Sequence, residues 1–284
     1  MTVVIGLDSG GSTTKIVGFT YKNGWELIEP DLITANDPVT ATYGAFGKFI
    51  AENGLRLSDI SKVVMTGVGA SHIKQGLYEL DCRRVPEFDC IGRGGLYTSG
   101  LSEALIVSMG TGTAMVHASE SKGMKYLGGT GVGGGTLMGL SKLLLGTGSV
   151  ENVEKYAEHG SLEEIDLRIK DLTGQSAMGK LESDLTASNF GKVSDSAGKD
   201  DIASGIINMV LETVGMISIF AARSANVSSI VLTGNVTQLR EAQAKFDEFG
   251  RLEVGKGLNF TIPKYSRFAT AIGAAILGIE GGEA

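Results

Sequence analysis

The chain opens on an apolar run, Val3 to Leu7, that meets an acid, Asp8, then a pair of glycines, then three hydroxyl residues and a lysine: Ile5-Gly6-Leu7-Asp8-Ser9-Gly10-Gly11-Ser12-Thr13-Thr14-Lys15. From Ile16 to Phe19 a strand pattern resumes, so the glycines are expected to turn one buried strand back on itself. Glycine permits positive φ and lets backbone N–H groups approach an anion without a Cβ in the way, while Ser12, Thr13, Thr14 and Lys15 add donors and charge. That combination predicts a phosphate cradle in a β-hairpin. It is neither a Walker A loop, which needs its lysine directly before Ser or Thr at a helix start, nor a dinucleotide fingerprint with its third glycine opening a helix. Asp8, at the carboxyl end of the first strand, would face the phosphates and hold Mg²⁺ through water.

The same design recurs from Leu105. Leu105-Ile106-Val107-Ser108-Met109 reads as a buried strand, Gly110-Thr111-Gly112-Thr113 as a second glycine-hydroxyl turn, and Ala114 to Ala118 as the returning strand. Two such units in one chain predict an α/β protein of two similar lobes with mixed sheets, facing each other across a nucleotide cleft. The boundary is expected at 102/103, giving lobes 1–102 and 103–284. A third glycine loop, Gly128 to Thr136, leads into a helix carrying Leu137, Leu140, Leu143 and Leu144. Its start at Gly133, Gly134 and Gly135 would offer free N–H groups to a phosphate.

Between these landmarks, Trp25 to Thr34 reads as a third strand, with Pro30 marking an edge, and Thr40 to Asn53 as an amphipathic helix. Lys62 to Gly67 reads as a buried strand, Arg84 and Val85 as a short one, and Cys90 to Ser99 as partly helical. Residues 150–200 are more polar and predict an inserted helical subdomain, with helices at Val150 to His159 and Leu162 to Leu172. Ile202 to Ala225 is a long helix apolar on more than one side, a candidate dimer support. Ser229 to Thr233, a helix at Gln238 to Phe249, a strand at Asn259 to Ile262 and a helix at Phe268 to Ile279 complete the alternation.

Composition narrows the function. Glycine numbers 42 in 284 residues, about double the usual 7%, yet the glycines cluster after apolar runs without a period, which excludes collagen and linker readings. A net charge of −7 argues against a nucleic-acid groove, which needs a basic face. Cys82 and Cys90 lack metal-ligand spacing and read as free thiols of a reducing cytoplasm; His72, His117 and His159 add no zinc signature. Met1 leads straight into a core strand without a basic leader, and no apolar run of bilayer-spanning length is apparent. The expectation is a cytoplasmic protein without membrane or nucleic-acid partners.

The pattern D-x-G-G-[ST]-x-[TS]-K at Asp8 to Lys15 resembles the first phosphate loop of the actin-like ATPase and sugar kinase superfamily, whose lobes are ribonuclease H-like. Four stretches resemble type II pantothenate kinases more closely: Glu87-Phe88-Asp89, Gly110 to Thr113, Gly133 to Gly135, and above all Asp184-Leu185-Thr186-Ala187-Ser188-Asn189-Phe190-Gly191, with Ala157 to Gly160 fitting bacterial members. The resemblance runs through nearly the whole chain. It implies transfer of the γ-phosphoryl of ATP to the primary hydroxyl of pantothenate, the first step of coenzyme A synthesis. Glu87 stands at the position of the family's catalytic base, which suits a reaction needing in-line positioning, Mg²⁺ and a carboxylate to take the hydroxyl proton.

The resemblance further implies that Gly10 to Lys15 hold the β- and γ-phosphates. Gly133 to Gly135 with Gly234 and Asn235 border the nucleotide, and Ser108, Thr111, Gly112 and Thr113 lie near both substrates. Asp89 is read as capping the following helix and His159 as a helix C-terminal cap. A homodimer and feedback by coenzyme A or acyl-CoA are compatible with the family. Two positions depart from it: Ala114 stands where a serine is usual, and Tyr126 where an arginine is. Lys125 is the substitute if the register shifts by one, though as a point charge without a fork. Other readings are a kinase for a sugar or another hydroxy acid, a kinase that binds without turnover, and a nucleotide-dependent dehydratase activator. The last needs paired cysteines for an iron–sulfur cluster, an arrangement Cys82 and Cys90 lack.

Overall fold

The computed structural model describes residues 2–11, 13–34, 37–73, 76–174 and 182–281. The opening hairpin is present: β1 (Thr2–Ser9) pairs antiparallel with β2 (Thr14–Tyr21), and β2 with β3 (Trp25–Ile33). The β2–β3 register breaks between Ile16 and Gly18, where Glu29 and Pro30 lie opposite the single residue Val17. Proline is tolerated there because β3 is the sheet edge. Helix α1 (Pro38–Glu52) crosses to β4 (Ile60–Thr66), parallel to β1, and β5 (Cys82–Arg84) lies beyond it. After α2 (Glu87–Ser99) comes a second hairpin, β6 (Glu103–Met109) and β7 (Thr113–Ser119), extended by β8 (Gly123–Thr130).

The chain then runs through α3 (Gly134–Leu144), α4 (Val150–Ala157), β9 (Leu167–Arg168), α5 (Ile169–Thr173), β10 (Thr186–Ser188) and α6 (Lys199–Ala225). It finishes with β11 (Ser229–Thr233), α7 (Ala242–Arg251), β12 (Asn259–Thr261) and α8 (Ala269–Glu280). The first sheet has the order β3-β2-β1-β4-β5 and the second β8-β7-β6-β11-β12, so the two match strand for strand, with β11 parallel to β6 as β4 is to β1. The expected pair of similar mixed-sheet lobes is what the chain builds.

Strand alternation decides which helix covers which face. In β1, Val3, Ile5 and Leu7 point into a core with Phe46 and Phe49 of α1, while Val4 joins Val17 and Phe19 against Ala271, Ile272 and Ala275 of α8. In β6, Leu105 and Val107 face α6, and Ile106 faces Ile91 and Leu96 of α2. Each sheet is therefore covered by a helix that follows the other sheet's strands: α8 returns to the first and α2 to the second. A boundary near 102 separates the sheets but not the helices that cover them. Where α2 and α8 cross, a Cβ on Gly94 would sit 1.7 Å from the Ala269 carbonyl oxygen, and one on Gly273 1.9 Å from that of Cys90.

Several expectations are corrected. Residues 162–172 do not form one helix: the buried carboxylate of Asp166 accepts from Phe190 N–H and Asn208 Nδ2, both at 2.8 Å. The chain is thereby diverted into the short β9–β10 ladder, and the 150–200 insertion is not wholly helical. The helix expected from Gln238 begins only at Ala242, after a 3-10 turn at Asn235–Gln238. Part of the third glycine loop belongs to β8. Asp89 caps nothing, because α2 already starts at Glu87 and Asp89 lies within its first turn. His159 follows the end of α4, its N–H bonded to the Tyr156 carbonyl. An apolar stretch long enough to cross a bilayer does exist, in α6, but most of it is packed into the second core, which accounts for its composition.

Candidate active site

The ends of both hairpins, the start of α2 and the turns before α3 and after β11 enclose a cleft of ≈ 920 Å³ between the sheets. At its floor Asp8 and Lys15 are register partners across the first hairpin, each 7% exposed, with Nζ 3.5 Å from Oδ2. The turn above them is closed by Gly10 N–H donating to the Thr13 carbonyl at 3.0 Å. Gly10, Gly11 and Thr13 line the cleft. Thr14 is buried in β2 opposite Ser9 and does not line it, and Ser12 lies outside the described residues.

The second hairpin end is built differently. Thr113 Oγ1 donates to the Val132 carbonyl at 2.8 Å, and the N–H groups of Gly134 and Gly135 donate to the carbonyls of Gly110 and Thr111, both at 2.8 Å. These amide donors were expected to be free for phosphate; they are spent on stitching α3 to the loop. A Cβ on Gly133 would lie 2.9 Å from the Thr111 carbonyl oxygen and one on Gly135 2.8 Å from Thr111 Cγ2, so the triple glycine is what allows this approach. Gly134 and Gly135 still line the cleft, with Ser108, Thr111, Gly112 and Thr113, whereas Gly133 does not.

Glu87 reaches the cleft from the first residue of α2, where no side chain caps the helix and its carboxylate complements the positive dipole end. Its pKa is raised from the ordinary value, first by burial and then by the charge of Asp8, with Lys15 opposing. Asp8, Lys15 and Glu87 thus form one electrostatic group. One turn on, Cys90 is fully buried and its thiol is pushed up to about 12, chiefly by burial, which makes it unreactive.

On the far side, the 3-10 turn after β11 brings Gly234 and Asn235 into the cleft. Gly234 N–H donates to the Ser266 carbonyl at 2.9 Å, and Arg267 Nε donates to Asn235 Oδ1 at 3.1 Å. Arg267 is a cleft residue that sequence reasoning missed; the only cue was a lone arginine just before the closing helix. Of the two neighbours on β8, Tyr126 lines the cleft and Lys125 does not. Adjacent strand residues point to opposite faces, and Tyr126 shares the α2 side with Met124, so the shift that would let Lys125 stand in is absent.

The segment Thr186 to Gly191, part of the stretch on which the resemblance rests most, lines none of this cleft. Its polar atoms are pinned to α6: Thr186 Oγ1 and Asn189 Nδ2 donate to Glu212 at 2.9 and 3.0 Å, and Lys245 completes that carboxylate at 3.1 Å.

The family described as Fumble matches residues 101–247. A type II pantothenate kinase of Staphylococcus saprophyticus is 31% identical over 240 residues, covering 81% of this chain and 84% of that one. One from Bacillus cereus strain G9842 is 29% identical over 271 residues, covering 88% and 91%. Among solved structures, the activator of 2-hydroxyisocaproyl-CoA dehydratase from Clostridium difficile, with bound ADPNP, superimposes with a TM-score of 0.69 at 18% identity over 99% of this chain and 95% of that one. Component A of (R)-2-hydroxyglutaryl-CoA dehydratase from Acidaminococcus fermentans gives 0.65 at 16% identity, over 97% of each chain. At such identities the likeness speaks for the actin-like ATPase fold alone.

Proposed function

Because the chain belongs to the Fumble family of type II pantothenate kinases, we propose that its cleft transfers the γ-phosphoryl group of ATP to the primary hydroxyl of pantothenate, with Glu87 as base. The observation that carries the residue roles is the grouping of Glu87 with the Asp8–Lys15 pair in the cleft. Glu87 takes the proton of the acceptor hydroxyl as its oxygen bonds to the γ-phosphorus and the bond to ADP breaks. A carboxylate whose affinity for protons is raised by its surroundings is better matched to that transfer than an ordinary one. Gly10, Gly11, Thr13 and Lys15 hold the phosphates from the first lobe, and Thr111, Gly112 and Thr113 from the second. Gly234 and Asn235 border the nucleoside.

Asp8 fits a Mg²⁺ site, since that ion is usually held by one or two protein carboxylates together with phosphates and water. When bound it would neutralise charge on the phosphate oxygens. Lys15 keeps the Asp8 carboxylate in place. Cys82 and Cys90 as free thiols suit a cytoplasmic enzyme. The exposed Phe220 on α6 suits a homodimer, and coenzyme A or an acyl-CoA is the feedback ligand this reading implies. Incubation with ATP, Mg²⁺ and pantothenate should yield ADP and phosphopantothenate in equal amounts by mass spectrometry. ADP formation indifferent to pantothenate would overturn the assignment.

A further inference from the structure

Next to Glu87 the cleft wall is made of rings and methyl groups. Phe88, on the first turn of α2, stacks on Tyr126 of β8 with centroids 4.0 Å apart and planes 10° from parallel. Both rings line the cleft and remain 39% and 48% exposed. Ala114 of β7 and Ile91 of α2 extend the same wall. A pair of stacked rings this open to solvent is a surface for another apolar or planar group.

The charges around it decide which group. Among the described residues lining the cleft, the acids are Asp8, Glu87, Glu151 and Glu154, and the bases are Lys15 and Arg267. Lys15 is engaged with Asp8, and Arg267 with Asn235 after β11, which stands three places from β8 in the order of the second sheet. An acceptor that presents its hydroxyl to Glu87 lays its remaining length along Phe88 and Tyr126. A carboxylate there would lose water to an apolar wall beside a group of two acids and one lysine whose net charge is like its own, the lysine being already paired with Asp8.

We infer that Phe88 and Tyr126 set the acceptor preference of this chain, favouring an alcohol whose far end is a neutral amide over one ending in a free carboxylate. The inference rests on the kinase reading. A neutral amide stacks flat on the rings and keeps its polar edge in water. The free acid remains a substrate, but a poorer one.

The test is steady-state kinetics on the intact enzyme with saturating ATP and two acceptors, pantothenate and its neutral amide pantetheine. The expected result is a kcat/KM for pantetheine roughly tenfold or more above that for pantothenate. Tyr126→Arg, at an exposed position, should narrow that ratio about tenfold by lowering KM for the acid, with KM for ATP unchanged, while Tyr126→Phe should keep it. Phe88→Leu should raise KM for the amide more than for the acid. A parent enzyme that prefers the acid, or a ratio that Tyr126→Arg leaves where it was, overturns the inference while the kinase reading stands. If neither acceptor is phosphorylated although an ATP analogue binds, the kinase reading falls and the inference with it.

Discussion

Gly67 and Gly234 occupy the same point of the two sheets. Each follows the strand parallel to the first strand of its lobe's hairpin and precedes a 3-10 turn, at φ +87° and +93° with ψ 162° and 178°. Each also lies against the end of that first strand: an added Cβ would stand 2.5 Å from the Ser9 carbonyl oxygen at Gly67 and 2.4 Å from that of Met109 at Gly234. This backbone region is closed to side chains. Gly234→Ala is expected to cost at least about 2 kcal/mol, from backbone strain and the carbonyl contact together. Nucleotide affinity should weaken as Asn235 is displaced. Urea denaturation and titration with an ATP analogue check both, and a parent-like midpoint would contradict the crowding described.

Glu87→Gln should lower kcat by about 10²- to 10⁴-fold, the usual worth of a positioned base, with ATP still bound. In the parent, kcat/KM should fall on acidification with an apparent pKa above the ordinary 4.5, because burial and Asp8 raise this carboxyl. The stability effect has the opposite sense. A raised pKa means that ionising Glu87 disfavours the fold, so its contribution is fully favourable below about pH 4.5 and is lost as pH rises through the folded value. Melting curves should therefore show the Gln variant gaining on the parent at neutral pH and the gap closing in acid. A parent pH profile flat down to pH 4.5 would remove Glu87 from the proton transfer.

Asp8→Asn leaves the Lys15 ammonium nearly buried without its charge partner. The expected loss is on the order of 3 kcal/mol, partly restored in the Asp8→Asn, Lys15→Met double variant, whose Met places no charge in the floor. Turnover of Asp8→Asn should also need more Mg²⁺ than the parent. Full activity at low Mg²⁺ would count against Asp8 as the metal's anchor.

Asn189→Ala withdraws one donor from Glu212, a carboxylate shared with Thr186 and Lys245. Stability should drop by about 1–3 kcal/mol, while affinity for an ATP analogue stays put, since this segment lies outside the cleft. A variant that folds normally but binds nucleotide poorly would show that the segment acts on the cleft after all.

The hairpins and parallel strands were legible because β1, β4, β6 and β11 each carry an apolar run that leads within three residues to a glycine. Strand β8 was not: it is an edge strand with Lys125, Tyr126 and three glycines, and no alternation survives to mark it. The exchange of α2 and α8 escaped too, because local periodicity gives a helix an apolar face without naming the sheet it meets. At the site, the glycine clusters marked the two hairpin ends, the start of α3 and the turn after β11. What they could not tell was the fate of individual amides, such as those of Gly134 and Gly135, whose bonds go to carbonyls more than twenty residues earlier in the chain. Arg267 depends on the same long-range fact, since only the return of the chain after β12 brings it beside Asn235.

The packing of α8 onto β1 and β2 also fixes a timetable for biosynthesis. As the polypeptide leaves the ribosome, the surface bearing Val4, Val17 and Phe19 stays bare until residues 269–280 emerge, a delay on the order of tens of seconds at ordinary translation speed. During that interval the nascent amino-terminal half carries an uncovered apolar face of the kind that favours aggregation, and any pause late in the message lengthens its exposure.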